Sequence, residues 1–487
     1  MNPVVLSVAS EIYPLIKTGG LADVAGALPL ALEDLGLRVR SLLPAYPTVM
    51  AKLTNGSTPE PILDLPDLFG GNARVLTVRY ADLDLLLLDA PHLFDRPGGP
   101  YITETGQDHA DNWARFAALS KAAAEIAGGA IAGFQPDILH AHDWQAALAP
   151  VYLAFNGTKG VRSVVTIHNL AFQGAFAPDI FAKLGLPRSA WSLEGVEYYG
   201  SVGYLKGGLH AADVVTTVSP TYAEEILTPE GGMGLDGLLA GRGNRLVGIV
   251  NGIDTDAWDP ATDAALPQTY SVKTLKARAR NKRALEAEFG LAHNDDPVFC
   301  VISRLTWQKG MDLLAEAADE IVSSGVRLAI FGSGDRMIEG AFHAAHARHP
   351  DRIGVKIGYD EALAHRIQAG ADAIIIPSRF EPCGLTQLCG LRYGCVPVVS
   401  RVGGLADTVI NANYAAVQSN VATGTIFAPV TAKSLHDAVV RTRDLYRQPA
   451  LWQSMQKRGM ATDVSWTASA ARYVELYRGL IEGEPPQ

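Results

Sequence analysis

Cysteine is scarce in this chain, charge is modest and no apolar stretch is long. The four cysteines among 487 residues are Cys300, Cys383, Cys389 and Cys395. So sparse a set suits a reducing cytoplasm and argues against a disulfide scaffold. The last three are spaced by six, which matches no common zinc spacing, so they read as core thiols. The longest oily run, Leu85 to Leu88, is far too short to span a bilayer. The first residues carry no basic flank and no signal-like core, and their apolar run reads better as a strand. Net charge is -10, which disfavours broad binding to nucleic acid or an anionic membrane. A Walker loop, a G-x-G-x-x-G turn after the first strand and repeats of solenoid period are all missing. That sets a nicotinamide-dependent dehydrogenase far behind other readings of a Rossmann-like chain.

What is present is an apolar fraction of 48% with 19% charged residues, the balance of a well-cored soluble enzyme of two or three domains. Strands and helices alternate from residue 1 to about 249. Val4 to Ser10, Arg38 to Leu43, Asp137 to Trp144, Val161 to His168 and Val214 to Val218 read as strands. Arg74 to Tyr80 and Leu83 to Leu88 read as a strand pair on one edge, and Ala110 to Phe134 as an alanine-rich helix. Ser219-Pro220 is a helix cap with Pro at the first helical position. Near Asn251-Gly252-Ile253-Asp254 the chain changes domain. A charged helix from Lys276 to Phe289 opens a second series, with strands at Val298, Arg327, Ile353, Ala373 and Val396. The last segment, Trp452 to Glu484, reads as one amphipathic helical stretch.

Two such series imply an α/β protein of two Rossmann-like domains, each with a parallel sheet, and ligands held at the carboxyl ends of the strands. Lys17, His142, Asp143, His168 and Asn169 gather at those ends in the first half. Lys17-Thr18-Gly19-Gly20 follows the first strand and opens a helix. Helix N-termini offer unpaired N–H groups, and two glycines let a ligand approach the backbone, so the turn reads either as an anion site or as a plain strand–helix turn. In the second half, Arg304 and Lys309 are two cations five apart in a loop before a helix, a diphosphate clamp or a solvated loop. Gly332-Ser333-Gly334-Asp335 is a turn able to approach a nucleotide, and Tyr359 is placed to stack on a base or to serve as a half-buried structural ring. The most specific segment runs from Pro377 to Gln387. There Glu381 suits pairs of sugar hydroxyls, and Gly384-Leu385-Thr386 opens a helix whose N–H groups suit a phosphate.

Taken together, Lys17 to Asp23, His142-Asp143-Trp144, Ile167-His168-Asn169, Thr217 to Tyr222, Asn251 to Asp254, Arg304 with Lys309, and Glu381 to Gln387 resemble the bacterial glycogen synthases and plant starch synthases nearly end to end. The resemblance implies a GT-B glycosyltransferase, with two Rossmann-like domains whose parallel sheets face a deep interdomain cleft. It implies an N-terminal acceptor-side domain at 1–249, a C-terminal ADP-glucose domain at 250–461 and a helical segment at 462–487 that returns to the N-terminal domain. The implied reaction moves glucose from ADP-glucose to the non-reducing-end 4-hydroxyl of glycogen or another α-1,4-glucan, with retention of configuration, in the cytoplasm. ADP-glucose is a substrate and no cofactor or metal is implied. A homo-oligomer stays open, and neither nucleic acid nor membrane is an expected partner.

Carried over residue by residue, the resemblance makes Lys17, His168, Arg304, Lys309 and Glu381 catalytic. Donor binding would fall to Lys17, Gly19, Gly20, Asn251, Arg304, Lys309, Tyr359, Glu381, Cys383, Gly384, Leu385 and Thr386. Asp23, Asp143, His168 and Asn169 would surround the glucose and the approaching acceptor. Many retaining GT-B enzymes carry a second glutamate eight positions on in the sugar loop; Cys389 stands there, the bacterial and plant synthases also lack that glutamate, and the ribose contacts stay unassigned. Asp254-Thr255-Asp256 mimics a metal-binding Asp-x-Asp and reads as part of the domain hinge.

Overall fold

The alternating pattern folds into two compact units in the computed structural model, which describes residues 2–53 and 58–483. One unit comprises Met1–Asn251 with Trp466–Gln487, the other Gly252–Ser465. The changes of unit therefore fall at 251/252 and 465/466, against the expected 249/250 and 461/462. Two hydrogen bonds account for the shift. Ser469 Oγ donates to Val250 O at 2.5 Å, holding Val250 to the first unit, while Ile253 N donates to Val464 O at 2.8 Å, holding Val464 to the second.

The first unit is built on a nine-stranded sheet. From edge to edge its strands are Leu246–Gly248, Val214–Thr217, Arg162–Ile167, Ile138–His142, Val4–Val8, Arg38–Pro44, Leu83–Asp89, Ala73–Tyr80 and Glu60–Leu65. The first seven run parallel, and Ala73–Tyr80 pairs antiparallel with both Leu83–Asp89 and Glu60–Leu65. Leu85 to Leu88 are wholly buried, because a strand covered on both faces needs an unbroken apolar run rather than alternation. The expected edge pair is antiparallel, but Leu83–Asp89 also joins Arg38–Pro44, and Glu60–Leu65 forms the true edge. That strand escaped notice because its Glu-Pro-Ile-Leu-Asp-Leu pattern carries too little apolar alternation. The alanine-rich helix is Asn112–Ala127, shorter than expected. Gly128 caps it and Gly129 takes φ 94°, so the turn arrives well before Gln135-Pro136. Three short strands, Ala175–Phe176, Glu197–Tyr198 and Ser201–Gly203, make a separate small sheet absent from the sequence reading.

The second unit carries a six-stranded parallel sheet in the order Ile353–Ile357, Arg327–Gly332, Val298–Ile302, Ala373–Ile376, Val396–Ser400 and Thr425–Phe427. Five of these were legible in the sequence; Thr425–Phe427, three residues long, was not.

The final segment is two helices, Pro449–Ala461 and Trp466–Glu482, rather than one. Asp463 breaks it by accepting from the backbone and hydroxyl of Ser465. Glu484, the expected end, lies outside the described residues. Trp466, Ala470, Tyr473, Val474 and Tyr477 form one helical face packed with Val24, Leu28 and Leu32 of the helix Gly20–Asp34. The last helix is thus part of the first unit's core. Among the described residues no helix is long and apolar enough to cross a membrane.

Candidate active site

Because Val4–Val8, Ile138–His142, Arg162–Ile167 and Val214–Thr217 are neighbouring parallel strands, their carboxyl ends lie along one edge. The loops that leave that edge carry Lys17, Asp143, His168 and Ser219. This is where an open α/β sheet binds ligands.

The turn at Lys17 is pinned by a residue the sequence reading missed. Glu11, buried, accepts from the backbone N–H of Thr18, from Thr18 Oγ1 at 2.6 Å and from Tyr101 OH at 2.5 Å. Burial and the Glu11 carboxylate push the Tyr101 phenol well up, so it stays a donor. Lys17 Nζ sits 2.7 Å from Asp23 Oδ1, both partly exposed. Gly19 is extended, with φ -155° and ψ -169°, and a Cβ built on Gly19 or Gly20 meets nothing within 4 Å. The fold places no demand for glycine at either position, and the backbone N–H groups of the helix start lie open to a ligand.

His142, Asp143, His168 and Asn169 are brought together. Asp143 takes a left-handed φ of 55°, uncommon for a residue with a Cβ and typical of functional loops. Its Oδ1 accepts from His168 N at 2.7 Å and Asn169 N at 3.5 Å, so the carboxyl group shapes the turn that presents those side chains. Burial pushes its pKa up to about 7 against the lowering effect of those amides. His142 Nδ1 lies 2.9 Å from His168 Nε2, and Ser7 Oγ lies 3.3 Å from His142 Nε2. A consistent assignment has Ser7 donating to His142 and His142 donating to His168, leaving His168 with Nδ1–H as a donor. Burial holds the His168 and His140 pKa values well below the usual range and His142 down at about 3, so all three rings are neutral near pH 7. Behind them, His140 connects Tyr477 OH, at 2.7 Å from Nδ1, to Thr166 Oγ1, at 2.6 Å from Nε2. The closing helix is thus tied to the same strand ends. Asn251 is buried, and its Oδ1 has no hydrogen-bond partner among the described residues.

In the second unit, Lys309 and Glu381 meet. Lys309 Nζ lies 2.8 Å from Glu381 Oε1 and 2.6 Å from Oε2, and Ser378 Oγ donates to Oε2 at 2.8 Å. Two of the three ammonium N–H donors point at Glu381, leaving one for another acceptor. The loop is held from behind by a glycine pair that sequence reasoning passed over. Gly404 N donates to Glu381 O at 3.1 Å, and a Cβ on Gly403 would stand 2.0 Å from the same oxygen. The signal was available: Gly403-Gly404 opens a helix, as Gly19-Gly20 does, and follows closely on the buried strand Val396–Ser400. Arg379 joins this loop to the one carrying Arg304. Its guanidinium donates to Asp312 at 2.7 Å through both nitrogens, to Trp307 O at 2.6 Å, and covers the Trp307 ring.

Arg304 is exposed and hydrogen-bonds weakly to Gln308 at 3.4 Å. Cys383, Gly384, Leu385 and Thr386 follow Glu381 in the same loop, with Thr386 the first residue of the helix Thr386–Tyr393. Tyr359 is 78% exposed, which removes the half-buried structural reading. The Gly332-Ser333-Gly334-Asp335 turn has a packing reason for its glycines. A Cβ on Gly332 would lie 1.8 Å from Ser303 O, one on Gly334 2.4 Å from Leu305 O, and Asp335 caps the next helix. This turn supports the Arg304 loop. Asp254 Oδ1 accepts from Asp256 N and Ala257 N at 2.9 and 3.0 Å, so the Asp-x-Asp motif closes its own turn.

Comparison with known proteins shows the family to which the chain is similar. Residues 4–241 match the family model described as starch synthase catalytic domain, and 283–457 that of glycosyl transferases group 1. The chain is 59% identical over 477 residues to a glycogen synthase of Mesorhizobium japonicum, covering 98% of each. It is 57% identical to one of Rhizobium leguminosarum bv. trifolii, covering 98% of this chain and 99% of that one. Among solved structures it is similar to the catalytic domain of starch synthase IV from Arabidopsis thaliana bound to ADP and acarbose. There the TM-score is 0.88 and the identity 31%, over 99% of this chain and 100% of that one.

Proposed function

We propose a reaction for this chain from one premise: it belongs to the glycogen synthase family and is a glycosyltransferase of the GT-B fold. The reaction is transfer of glucose from ADP-glucose to the non-reducing-end 4-hydroxyl of an α-1,4-glucan, with retention. The observation that carries it is the Lys309–Glu381–Ser378 cluster at the head of a buried loop, a cation and a sugar-binding carboxylate 2.6 Å apart. One group suits the departing diphosphate and the other suits the hydroxyls of the sugar it leaves.

The bond between the anomeric carbon and the phosphate oxygen breaks as positive charge grows on the sugar and negative charge on ADP. Arg304 and Lys309, with the N–H groups around Gly384-Leu385-Thr386, answer that negative charge, and the family resemblance gives Lys17 and the Gly19-Gly20 N–H groups a share in holding the donor. Preorganised donors of this kind give the largest single contribution, and losing one costs about 100- to 1,000-fold in rate. Tyr359 stacks on adenine. Asn251, whose buried oxygen has no partner among the described residues, accepts from a donor hydroxyl. His168, neutral, donates through Nδ1–H to a sugar hydroxyl, while Asp143 holds the turn that aims it and Asp23 steadies Lys17.

The acceptor 4-hydroxyl attacks on the face that ADP leaves, and its proton passes to the departing phosphate oxygen. The fixed carboxylates support this route over a double displacement. Glu11 is committed to Thr18 and Tyr101, and Asp143 accepts from two amides with a pKa of about 7. No metal enters the reading. A cytoplasmic location is supported by four buried cysteines, none joined in a disulfide among the described residues.

The test is turnover on glycogen with ADP-glucose and with UDP-glucose. ADP-glucose is expected to be the better donor by kcat/KM; a clear preference for UDP-glucose overturns the donor assignment. No ADP release from either, with folded protein, overturns the reaction.

A further inference from the structure

One hairpin of the first unit breaks a local rule. Tyr198 pairs with Ser201 across a two-residue turn, Tyr199-Gly200, whose φ values are 47° and 77°. Both central residues are left-handed, the pattern of a type I′ turn, whose first position normally takes Asn, Asp or Gly. A tyrosine there is strained, and it is 84% exposed, so little packing offsets the strain. Rule-breaking of this kind concentrates at functional positions.

The surroundings match. The Tyr198 and Tyr199 rings meet edge to face with centroids 4.9 Å apart. Tyr198 OH and Gln173 Nε2 both donate to Met233 O, at 3.4 and 3.1 Å, and Met233 is itself left-handed and exposed. Phe172, 56% exposed, precedes Gln173. The patch is continuous with the turn at His168-Asn169. Phe172 and Gln173 lie on the segment between Asn169 and the strand Ala175–Phe176, which pairs with Ser201–Gly203. The Phe176 ring lies 5.7 Å from Trp144, the residue after Asp143.

We propose that Tyr199, with Tyr198 and Phe172, is a stacking site for glucosyl units of the acceptor chain behind the unit being extended. The inference rests on the reaction proposed above. Aromatic faces take the C–H face of a pyranose, an apolar body rimmed by hydroxyls. Gln173 and Glu197 supply polar groups beside the rings, as a sugar needs and an apolar protein partner does not.

The experiment uses the full-length protein and Tyr199→Asn. Asn relieves the turn, so the variant keeps or raises Tm while the ring is gone. Retardation in a native gel containing glycogen, without donor, is expected to weaken by about tenfold in apparent affinity. Tyr199→Phe is expected to behave as wild type. In the assay with ADP-glucose, KM for glycogen rises by a similar factor while KM for ADP-glucose holds. Unchanged retardation and unchanged glycogen KM in a folded Tyr199→Asn protein overturn the site, and point to a protein partner for the patch. The gel reads glucan binding alone, so a wild type that binds glycogen but fails to turn over ADP-glucose would sink the reaction and not the site.

Discussion

Asp143 allows a sharp test of how this site is built. Its carboxyl group is buried and its pKa stands at about 7, although the His168 amide donates to it at 2.7 Å. An aspartate in an unfolded chain titrates near 3.9. Between about pH 4 and pH 7 the folded chain therefore holds a proton that the unfolded chain has released. Stability falls as pH rises across that window, by about 1.4 kcal/mol per pH unit, and levels off above pH 7. Asp143→Asn removes the ionisation and keeps an oxygen to accept from the amides of His168 and Asn169. Its stability relative to wild type is expected to improve by about 2 kcal/mol between pH 5.5 and pH 8. For a unit of this size that is a Tm difference larger by roughly 3–4 °C at pH 8 than at pH 5.5. Calorimetry of both proteins in matched buffers measures it. A Tm difference that does not change with pH refutes the claim that burial governs this carboxyl group.

Four further outcomes follow from other groups. His140, His142 and His168 are held neutral by burial, so the stability they contribute is present above about pH 6.5 and lost as pH falls, at up to roughly 4 kcal/mol per pH unit for the three together, partly offset by Asp143; urea titrations that give equal stability at pH 7 and pH 5.5 would contradict this. Lys309→Ala is expected to lower kcat/KM by at least about 100-fold and also to lower Tm, because it strands the Glu381 carboxylate. Adding Glu381→Gln should restore Tm without activity, and near-normal turnover in the single variant removes Lys309 from the chemistry. Lys17→Ala should leave Tm within a degree or so, since its pair with Asp23 is part-exposed and worth about 0–1 kcal/mol, yet cut kcat/KM for the donor. Gly19→Ala meets no atom within 4 Å and should fold normally, while KM for ADP-glucose rises; unchanged donor kinetics would mean that no ligand approaches that backbone.

Much of the architecture is written locally. The strand at Val4 and the helix cap at Ser219, whose hydroxyl accepts from Tyr222 N at 3.2 Å, follow from patterns a few residues long. So does the stop at Gly36, with φ 88°. Short range also explains the misses. Glu60–Leu65 and Thr425–Phe427 are too short or too polar to announce themselves, and their pairing comes from the sheets they join. The helix from Asn112 ends at two glycines that the alanine-rich pattern overshadowed.

The sequence by itself determined the succession of strands and helices, the two-series organisation, and which loops carry cations, carboxylates and glycines, because each depends on residues close along the chain. Only the tertiary structure decided which of those groups meet. Lys309 and Glu381 are 72 residues apart and become partners because their strands are neighbours in one sheet. Glu11 became the anchor of the Lys17 turn because Tyr101 and Thr18 converge on it, and Asp143 became a turn-former because strand order sets its loop beside His168. The last helix joins the first unit because the residues that cover its apolar face, Val24, Leu28 and Leu32, lie more than 400 positions earlier. Contacts over such separations depend on sheet order and burial, which no local pattern encodes.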